Sequence, residues 1–516
     1  MEKKRKQENK NVLSAYIGIM GPETPKYLLA NNFLSEFFQV PQEEKLRKIS
    51  CEGFIKAGIL NCEEDDEQKL EQLKDSFDRF FQRFSGLDTI QTNYENEDFY
   101  FPLRPQMLRN SKPNLRHLLY NMLPDVNRKE NFTNLQEKLQ EYLYGEATGV
   151  NYLLNEMCKK LFEENYQKLP AAKNAEFVAR LRKKQYRRVC GNFQEDLYCL
   201  LEHTSFKKQD FYKKYDYLAT LLNTYVIQFI VKKNVNSQAK GEDGCILCQG
   251  SATSHLLSGG AFHRACVQNY AKLREVFPKE LKEFYILQME KETDEKGLIY
   301  VWKKGTTLYV DKIPGEAGVE SESSETFFDF VKRVFNSRFT KTTAHSMNDS
   351  MQKAFKLTEE GKKYSFEKKA FVTLYMNVSQ ARQGSALTKI SSTLPTCGKD
   401  IGFVFPNSRS RHKYFAFSPS LLEFFVRLYL ARKKRSYAYL DSFLADLEER
   451  YGICTQKSEK MDRILKSLQI KVPFQEFRQN EQALLDNLDE NNCLVRLSDS
   501  GYVVTLPEEK GEFRLL

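Results

Sequence analysis

The feature that most constrains the fold is a long stretch, from Leu115 to Lys233, that is nearly free of glycine and proline. Its apolar residues recur with the three- and four-residue spacing of amphipathic helices, and its few breaks divide it into segments of helical length. Such a stretch is typical of an α-helical bundle. We therefore expect a mainly α-helical protein in which residues 114–235 form a bundle.

The chain is long enough for several domains. It has 516 residues, of which 41% are hydrophobic and 13% aromatic, so sizeable cores can form. We expect a multi-domain protein and place the boundaries where the residue pattern changes. The predicted parts are a mixed, partly helical N-terminal region at 1–113, the helical bundle at 114–235, a zinc-binding module at 236–280, a β-hairpin and linker at 281–325, a helical and irregular connecting region at 326–417, and a winged-helix-like domain at 418–516.

Charge and cysteine content indicate the environment of the protein. Lysine and arginine total 79 against 69 aspartate and glutamate, a net charge of +10 that permits contact with a polyanion. Eleven cysteines without a regular framework indicate a reducing compartment. The longest apolar run, Tyr217 to Val231, is too short and too polar to span a bilayer. We expect a cytoplasmic protein.

Four potential zinc ligands lie close together in the sequence. Cys245 and Cys248 are separated by two residues and flanked by glycines, and His263 and Cys266 stand at the start of an apparent helix. Thiolate and imidazole groups at such spacings are the ligands of tetrahedral zinc, and this layout resembles a treble-clef zinc finger. His255 is an alternative to His263. Because protein ligands fill all four positions and no glutamate base adjoins them, we expect a structural Zn²⁺ site.

Three clusters of basic residues contain aromatic residues, at 180–188, 207–214 and 432–439. Basic side chains neutralise phosphates and aromatic rings stack on bases, although a solvated helix face has the same pattern. A further patch at 407–413 is loop-like and suits phosphate contact or solvation. The candidate nucleic-acid-binding residues are Arg182, Lys183, Lys184, Arg187, Arg188, Lys213, Lys214, Arg432, Lys433, Lys434 and Arg435.

The residues from Ser418 onward resemble a winged helix. The pattern predicts helices at 419–433, 439–451, 457–468 and 474–491, followed by a hairpin at 493–507. Many winged helices bind DNA through the helix before the wing, but here that helix carries five acidic residues against one arginine. Phosphates would repel it. We therefore expect this unit to dock a protein partner, with any DNA contact made by residues 432–435.

Catalytic motifs are absent from the sequence. The nearest approach to a phosphate-binding loop, Thr393 to Asp400, lacks the first glycine and the magnesium-binding hydroxyl group. The six histidines are isolated apart from the zinc cluster, and no nucleophile elbow is present. We expect a protein without enzymatic activity, with an unrecognised metal-dependent nuclease as an alternative.

Residues 384–507 resemble a known family. The similarity lies in the phrase Gly398-Lys-Asp-Ile-Gly-Phe403, the arginine-rich loop before Tyr414, the helix start at Ser418-Pro-Ser-Leu-Leu-Glu-Phe, and the segment Phe443 to Gly452 that leads to the wing. These features resemble the DptG accessory subunits of phosphorothioation-dependent DNA restriction in bacteria.

The resemblance implies a non-catalytic adaptor subunit of a bacterial anti-phage restriction complex. Such a subunit would contact DNA and work with an ATPase or helicase and a nuclease that carry the chemistry. A zinc-containing DNA-binding transcriptional regulator is an alternative, because basic clusters and a zinc site suit that class as well.

Overall fold

A computed structural model describes about half of the chain. The described residues are 115–123, 129–144, 184–233, 245–252, 259–274, 386–408, 410–497 and 501–509, with short strands between 300 and 365 and single positions at 29, 30, 33, 34, 37 and 71. Contacts divide the chain into two compact units, one made of residues 1–274 and 392–516 and the other of residues 275–391. Of the described residues 68% are helical, which confirms the prediction of a mainly α-helical protein.

The helices follow the predicted pattern through most of the described chain. In chain order they are α1 Leu115–Asn121, α2 Lys129–Tyr144, α3 Lys184–Glu202, α4 Thr204–Lys207, α5 Phe211–Lys233, α6 over 261–274, α7 Ala386–Asp400, α8 Pro419–Lys433, α9 Leu440–Asp446 with a π-helical continuation at Leu447–Tyr451, α10 Glu459–Leu468 and α11 Phe474–Glu490.

The strands are short and come from distant parts of the sequence. In chain order they are β1 Ile246–Gln249, β2 Tyr300–Lys303, β3 Thr307–Val310, β4 Lys356–Leu357, β5 Tyr364–Ser365, β6 Val404–Phe405, β7 Tyr414–Ala416, β8 Tyr437–Tyr439, β9 Ile453–Cys454, β10 Leu494–Arg496 and β11 Tyr502–Thr505.

Helix α5 lies at the centre of the larger unit. Its residues from Lys214 to Val231 are buried except for Asp216, and it packs against α3, which in turn packs against α8. Aromatic pairs fill the interface, such as Phe193 of α3 with Tyr225 of α5 at 4.8 Å between ring centroids. A helix that is apolar on nearly all sides belongs in a protein core. Among the described residues, none of the helices has the length and apolarity needed to cross a membrane.

The larger unit contains two described sheets, of which the first joins the C-terminal segment to the strand at residues 246–249. The first has the order β6-β7-β1-β9, in which β1 pairs in parallel with both β7 and β9. The second is antiparallel and has the order β10-β11-β8. Strand β1 is therefore an interior strand held between segments that follow it by more than 150 residues.

The C-terminal helices begin and end at local signals in the sequence. The Ser418 hydroxyl group caps α8 by accepting the backbone N–H of Leu421, and Lys434 ends that helix in the left-handed region at φ 52°. Ser458 caps α10 in the same way. The predicted helices at 419–433, 457–468 and 474–491 and the hairpin at 493–507 are confirmed, because caps and turn residues act within a few positions of the ends that they define.

The smaller unit contains two described hairpins. Strands β2 and β3 pair antiparallel, with Val301 opposite Tyr309, which confirms the hairpin predicted in the segment 281–325. Strands β4 and β5 form a second, shorter pair.

The structure differs from the sequence prediction at two places. The segment at Cys245–Cys248, predicted as a zinc knuckle, is the extended strand β1, because its apolar run is buried between two neighbouring strands. The stretch after residue 384, predicted as partly irregular, contains helix α7 with Pro395 inside it. Burial of Leu394 and Cys397 stabilises this helix despite the proline.

Candidate functional site

The four predicted zinc ligands lie on two neighbouring elements. Cys245 directly precedes β1 and Cys248 belongs to it, whereas His263 and Cys266 lie on α6. The three cysteines are buried. Cys245 and Cys266 share one apolar cluster with Cys454 of β9, and a hydrogen bond with the Cys245 thiol, together with burial, raises the pKa of Cys454.

The side chain of His263 is held by neighbours other than cysteine. Its Nδ1 atom lies 3.0 Å from Nε2 of Gln249. The two side chains are hydrogen-bonded, and the direction of the bond depends on the tautomer of the ring. The ring also packs edge-on against Tyr414 at 4.7 Å between centroids.

In this conformation the four residues do not converge on one point. Cys245 shares an apolar cluster with Cys266, and burial together with the neighbouring Cys266 raises the pKa of Cys248, whereas the His263 ring contacts Gln249 and Tyr414. Within the described ranges, no three His, Cys, Asp or Glu side chains are grouped so that they could hold a metal. Zinc binding by these four residues stays a prediction.

The first basic cluster is only partly covered by the structure. Arg182 and Lys183 lie outside the described residues, and of Lys184 only the backbone, at the start of α3, is described. Arg187 is exposed. Arg188 is exposed as well, but its guanidinium group donates to the backbone and side-chain oxygens of Glu449 at 3.2 Å.

The two candidate residues of the second basic cluster, Lys213 and Lys214, are half-buried and buried. Lys214 is buried, with its Nζ atom 5.9 Å from the centroid of the Tyr142 ring. Lys213 is half-buried, with Nζ 3.5 Å from the Glu423 carboxylate and 5.2 Å from the Tyr217 ring. The prediction that Lys214 lies on a nucleic-acid-binding surface does not fit its burial, because helix α5 is covered on nearly all sides.

The third basic cluster is divided between core and surface. The Arg432 side chain is 6% exposed, and its guanidinium group pairs with Asp446 at 2.5 Å and with Asp196 at 3.4 Å. Its predicted role on a nucleic-acid surface does not fit this placement, because two carboxylates already engage it. Lys433, Lys434 and Arg435 are exposed, and none of the three forms an ion pair within the described part of the chain.

Two exposed tyrosines continue this basic segment. Tyr437 and Tyr439 are 47% and 62% exposed, although they belong to strand β8. Alternate positions of a strand share a face, and β8 lies at the edge of its sheet. We refer to Lys433, Lys434, Arg435, Tyr437 and Tyr439 as the β8 surface. The sequence indicated the cluster, but the edge position that exposes both rings depends on distant pairing with β11.

Helix α11 is fixed with its acidic face outward. Buried Asn480 accepts a hydrogen bond from the N–H of Gly250 at 2.9 Å and donates to the carbonyl oxygen of Thr455 at 2.6 Å. Buried Asn487 donates to the carbonyl oxygens of Gly250 and Phe417. These bonds secure the helix to the first sheet. The acidic side chains on its exposed face are Glu481, Asp486, Asp489 and Glu490.

A buried carboxylate joins the helical bundle to the C-terminal segment. Asp196 of α3 has no exposed surface and accepts hydrogen bonds from the Tyr225 and Tyr451 hydroxyl groups and from Arg450. Burial and the negative charge of Asp196 raise the pKa of both tyrosines well above the ordinary value. Both hydroxyl groups therefore stay protonated and donate. Sequence reasoning missed this network, because its members are far apart in the chain.

A comparison of the chain with protein-family models, with curated proteins and with solved structures finds no match.

Proposed function

We propose that the protein is a non-catalytic adaptor that contacts DNA through the β8 surface and docks a catalytic partner of a bacterial restriction complex, as the similarity to the DptG subunits implies. The observation that supports DNA contact is the composition of the β8 surface. Three exposed cations without internal ion pairs, at least among the described residues, adjoin two exposed tyrosines on an edge strand.

The chemistry of this surface suits a phosphate backbone. Lys433, Lys434 and Arg435 follow one another at the end of α8, so their charges concentrate in a small area. Cations that form no ion pair among the described residues can neutralise phosphates without first breaking one, and this releases counterions from DNA. The tyrosine rings beside them can stack on bases or contact sugars.

The order of the elements supports a winged-helix-like interpretation of the C-terminal residues. Helix α8, strand β8, helices α9 and α11 and the hairpin β10–β11 succeed one another, with β9 and α10 inserted after α9. In many winged helices the position of α11 belongs to the helix that enters the major groove. Here Asn480 and Asn487 fix the inner face of α11 and the outer face is acidic. Repulsion by phosphates argues against groove insertion and against a sequence-specific regulator.

The same acidic face supports docking of a protein partner. Phe474 at the start of α11 is 60% exposed, and Arg478 lies over its ring at 4.9 Å. An exposed aromatic side chain beside a row of carboxylates is a suitable contact for a basic protein surface. We propose that the ATPase, helicase or nuclease partner binds to this face of α11. We also propose that Cys245, Cys248, His263 and Cys266 hold a structural Zn²⁺.

The test is DNA binding measured by fluorescence anisotropy with a labelled duplex and a labelled single strand. We expect Lys433→Gln/Lys434→Gln/Arg435→Gln to weaken binding at least tenfold, because three phosphate contacts are lost. The control variant Lys457→Gln/Lys466→Gln/Lys471→Gln removes the same charge from exposed positions around α10. Equal weakening of DNA binding by both variants would show that binding depends on the net charge of the protein alone and would contradict a role of the β8 surface. Cleavage of DNA by the purified protein with magnesium or manganese would instead support a nuclease.

A further inference from the structure

His203 stands between helices α3 and α4 and caps the second of them. Its Nδ1 atom accepts the backbone N–H of Ser205 at 3.3 Å and lies 2.8 Å from the hydroxyl oxygen of the same residue. Because a backbone N–H can only donate, Nδ1 is the acceptor, and a neutral ring whose Nδ1 accepts carries its proton on Nε2. One ring nitrogen therefore caps the helix, and the other is a hydrogen-bond donor.

The imidazole ring of His203 is held in its neutral form. Partial burial, followed by the positive charges of Arg427 and Lys434, lowers the pKa of His203 below its ordinary 6.5. A protonated ring would carry a hydrogen atom on both nitrogens and could not cap α4. At pH 7 the ring is therefore mainly uncharged, with Nε2–H as its donor.

Helix α4 lies along α8 and runs in the opposite direction. The ring of Phe206 contacts that of Phe424 at 6.4 Å between centroids, and the carbonyl oxygen of Ser205 accepts a hydrogen bond from Arg427 at 2.9 Å. The contacts therefore move towards the end of α8 as they move towards the start of α4, where His203 stands.

The end of α8 carries Lys434 towards His203. Lys434 is the residue at which α8 ends, about two helical turns after Arg427, so the two cations lie near the same face of that helix. The effect of both charges on the His203 ring agrees with this placement. Since Lys434 belongs to the β8 surface, His203 adjoins that surface.

The Nε2–H donor of His203 is not engaged by the described part of the chain. The side-chain hydrogen bonds of His203 there all involve Nδ1, and the ring is half-buried. The two cations beside it differ, because Glu423 and Glu508 pair with Arg427, whereas Lys434 forms no ion pair among the described residues. A cation and a neutral donor that lie side by side favour an anion that can contact both.

We propose that the Nε2–H group of His203 donates a hydrogen bond to a phosphate oxygen of the DNA that the β8 surface binds. The inference rests on the proposed function, because Lys434 would contact the same DNA. It extends the DNA-contacting surface from the end of α8 to the junction of α3 and α4. A search of the sequence for basic clusters misses this contact, because the ring is uncharged.

The test is DNA binding of the full-length protein, measured by fluorescence anisotropy with the labelled duplex at several salt concentrations. In His203→Asn the shorter side chain can still accept the N–H of Ser205, since asparagine is a preferred N-cap residue, but it does not reach the position of Nε2. The control Ser205→Ala removes the hydroxyl group beside Nδ1 and leaves the backbone cap and Nε2–H in place. Urea unfolding shows whether each variant is folded.

We expect His203→Asn to weaken DNA binding about threefold to tenfold, as loss of one solvent-accessible hydrogen bond would. The slope of log affinity against log salt should not change, because no charge is lost. Ser205→Ala should bind DNA like the wild type. Wild-type affinity in His203→Asn overturns the proposal, and so does equal weakening in Ser205→Ala, which would indicate local distortion. If His203→Asn does not fold, His203→Ser provides the same kind of cap and decides by the same criteria.

The variant Lys433→Gln/Lys434→Gln/Arg435→Gln separates this inference from the proposed function. Weakened binding in that variant with wild-type affinity in His203→Asn excludes the His203 contact and leaves the β8 surface in place. Wild-type affinity in the triple variant contradicts both. A smaller salt slope in His203→Asn would indicate a protonated ring and would overturn the neutral contact.

Discussion

The carboxylate of Asp196 accepts a hydrogen bond from the guanidinium group of Arg450 at 2.7 Å, although 254 residues separate the two in the sequence. The same carboxylate accepts hydrogen bonds from the hydroxyl groups of Tyr225 at 2.6 Å and Tyr451 at 2.5 Å. A fully buried carboxylate is tolerated only when it is paired and hydrogen-bonded. This contact therefore fixes helix α3 against the segment that follows α9.

Replacement of Asp196 by asparagine should strongly destabilise the larger unit. The change leaves Arg432 and Arg450 buried beside a neutral side chain, and loss of one partner of a buried ion pair costs about 3–5 kcal/mol. The measurement is the free energy of unfolding in urea, followed by circular dichroism.

The control for this prediction is Glu195→Gln. Glu195 pairs with the same Arg450 at 2.8 Å, but its side chain is 61% exposed. Its loss should cost less than about 1 kcal/mol. Equal destabilisation by both substitutions would contradict the central role of Asp196.

Two glycine substitutions should change stability in opposite directions. A Cβ atom at Gly250 would lie 2.5 Å from the backbone oxygen of Asn480 and 2.6 Å from the backbone nitrogen of Leu484, so Gly250→Ala should destabilise by about 1–3 kcal/mol. A Cβ atom at Gly191 in α3 meets nothing within 4 Å, so Gly191→Ala should stabilise by about 0.5–1 kcal/mol. Urea unfolding measures both. A neutral Gly250→Ala would contradict the close packing of α11 against β1.

The Arg427–Glu508 ion pair should make stability depend on pH in the acid range. Burial is the largest single effect and raises the pKa of Glu508, but the hydrogen bond and charge of Arg427, a backbone hydrogen bond and the charge of Lys213 together lower it by more, so the net pKa lies below the ordinary 4.5. A carboxylate whose pKa is lower in the folded state than in the unfolded state stabilises the protein when the pH is above the unfolded-state pKa. This stabilisation is lost as the pH falls through the folded-state pKa.

Glu508→Gln should therefore destabilise the protein at pH 7, and its difference from the wild type should shrink as the pH falls below about 4.5. Urea unfolding between pH 7 and pH 3 gives this difference. The control is Glu459→Gln, whose carboxylate is 89% exposed in its pair with Arg463. A difference that stays constant down to pH 3 would argue against the ion pair.

Zinc binding by Cys245, Cys248, His263 and Cys266 predicts one zinc ion per chain. Mass spectrometry of the purified protein's metal content should find this ion, Cys248→Ser should lose it, and Cys199→Ser, which is outside the set, should retain it. A wild-type protein that contains no zinc would contradict the prediction and would agree with the metal-free strand β1. Full zinc content in Cys248→Ser would exclude the predicted ligand set.

Local signals in the sequence predicted the C-terminal helices well. The prediction of α8 at 419–433 agrees with the structure at both ends. Ser418 and Pro419 define the helix start, and Lys434 ends the helix in the left-handed region. The position of β1 was missed, since its partners β7 and β9 lie more than 150 residues away. A short apolar run between glycines was the available signal, and it also suits a buried strand.

Tertiary packing also decides which of the candidate DNA-binding residues are exposed. A basic cluster in the sequence marks charge but does not show which side chain meets a carboxylate. Arg432 and Lys433 are neighbours, yet Arg432 is buried against Asp446 and Asp196 whereas Lys433 is exposed. Only the packing of α3 and α9 against α8 separates the two.

The most direct test of DNA contact through the β8 surface is the dependence of DNA affinity on salt concentration. The slope of log affinity against log salt counts the phosphates that the protein neutralises. For Lys433→Gln/Lys434→Gln/Arg435→Gln we predict a slope smaller than that of the wild type by about two to three, with the α10 control variant unchanged. A slope equal to that of the wild type would contradict the account.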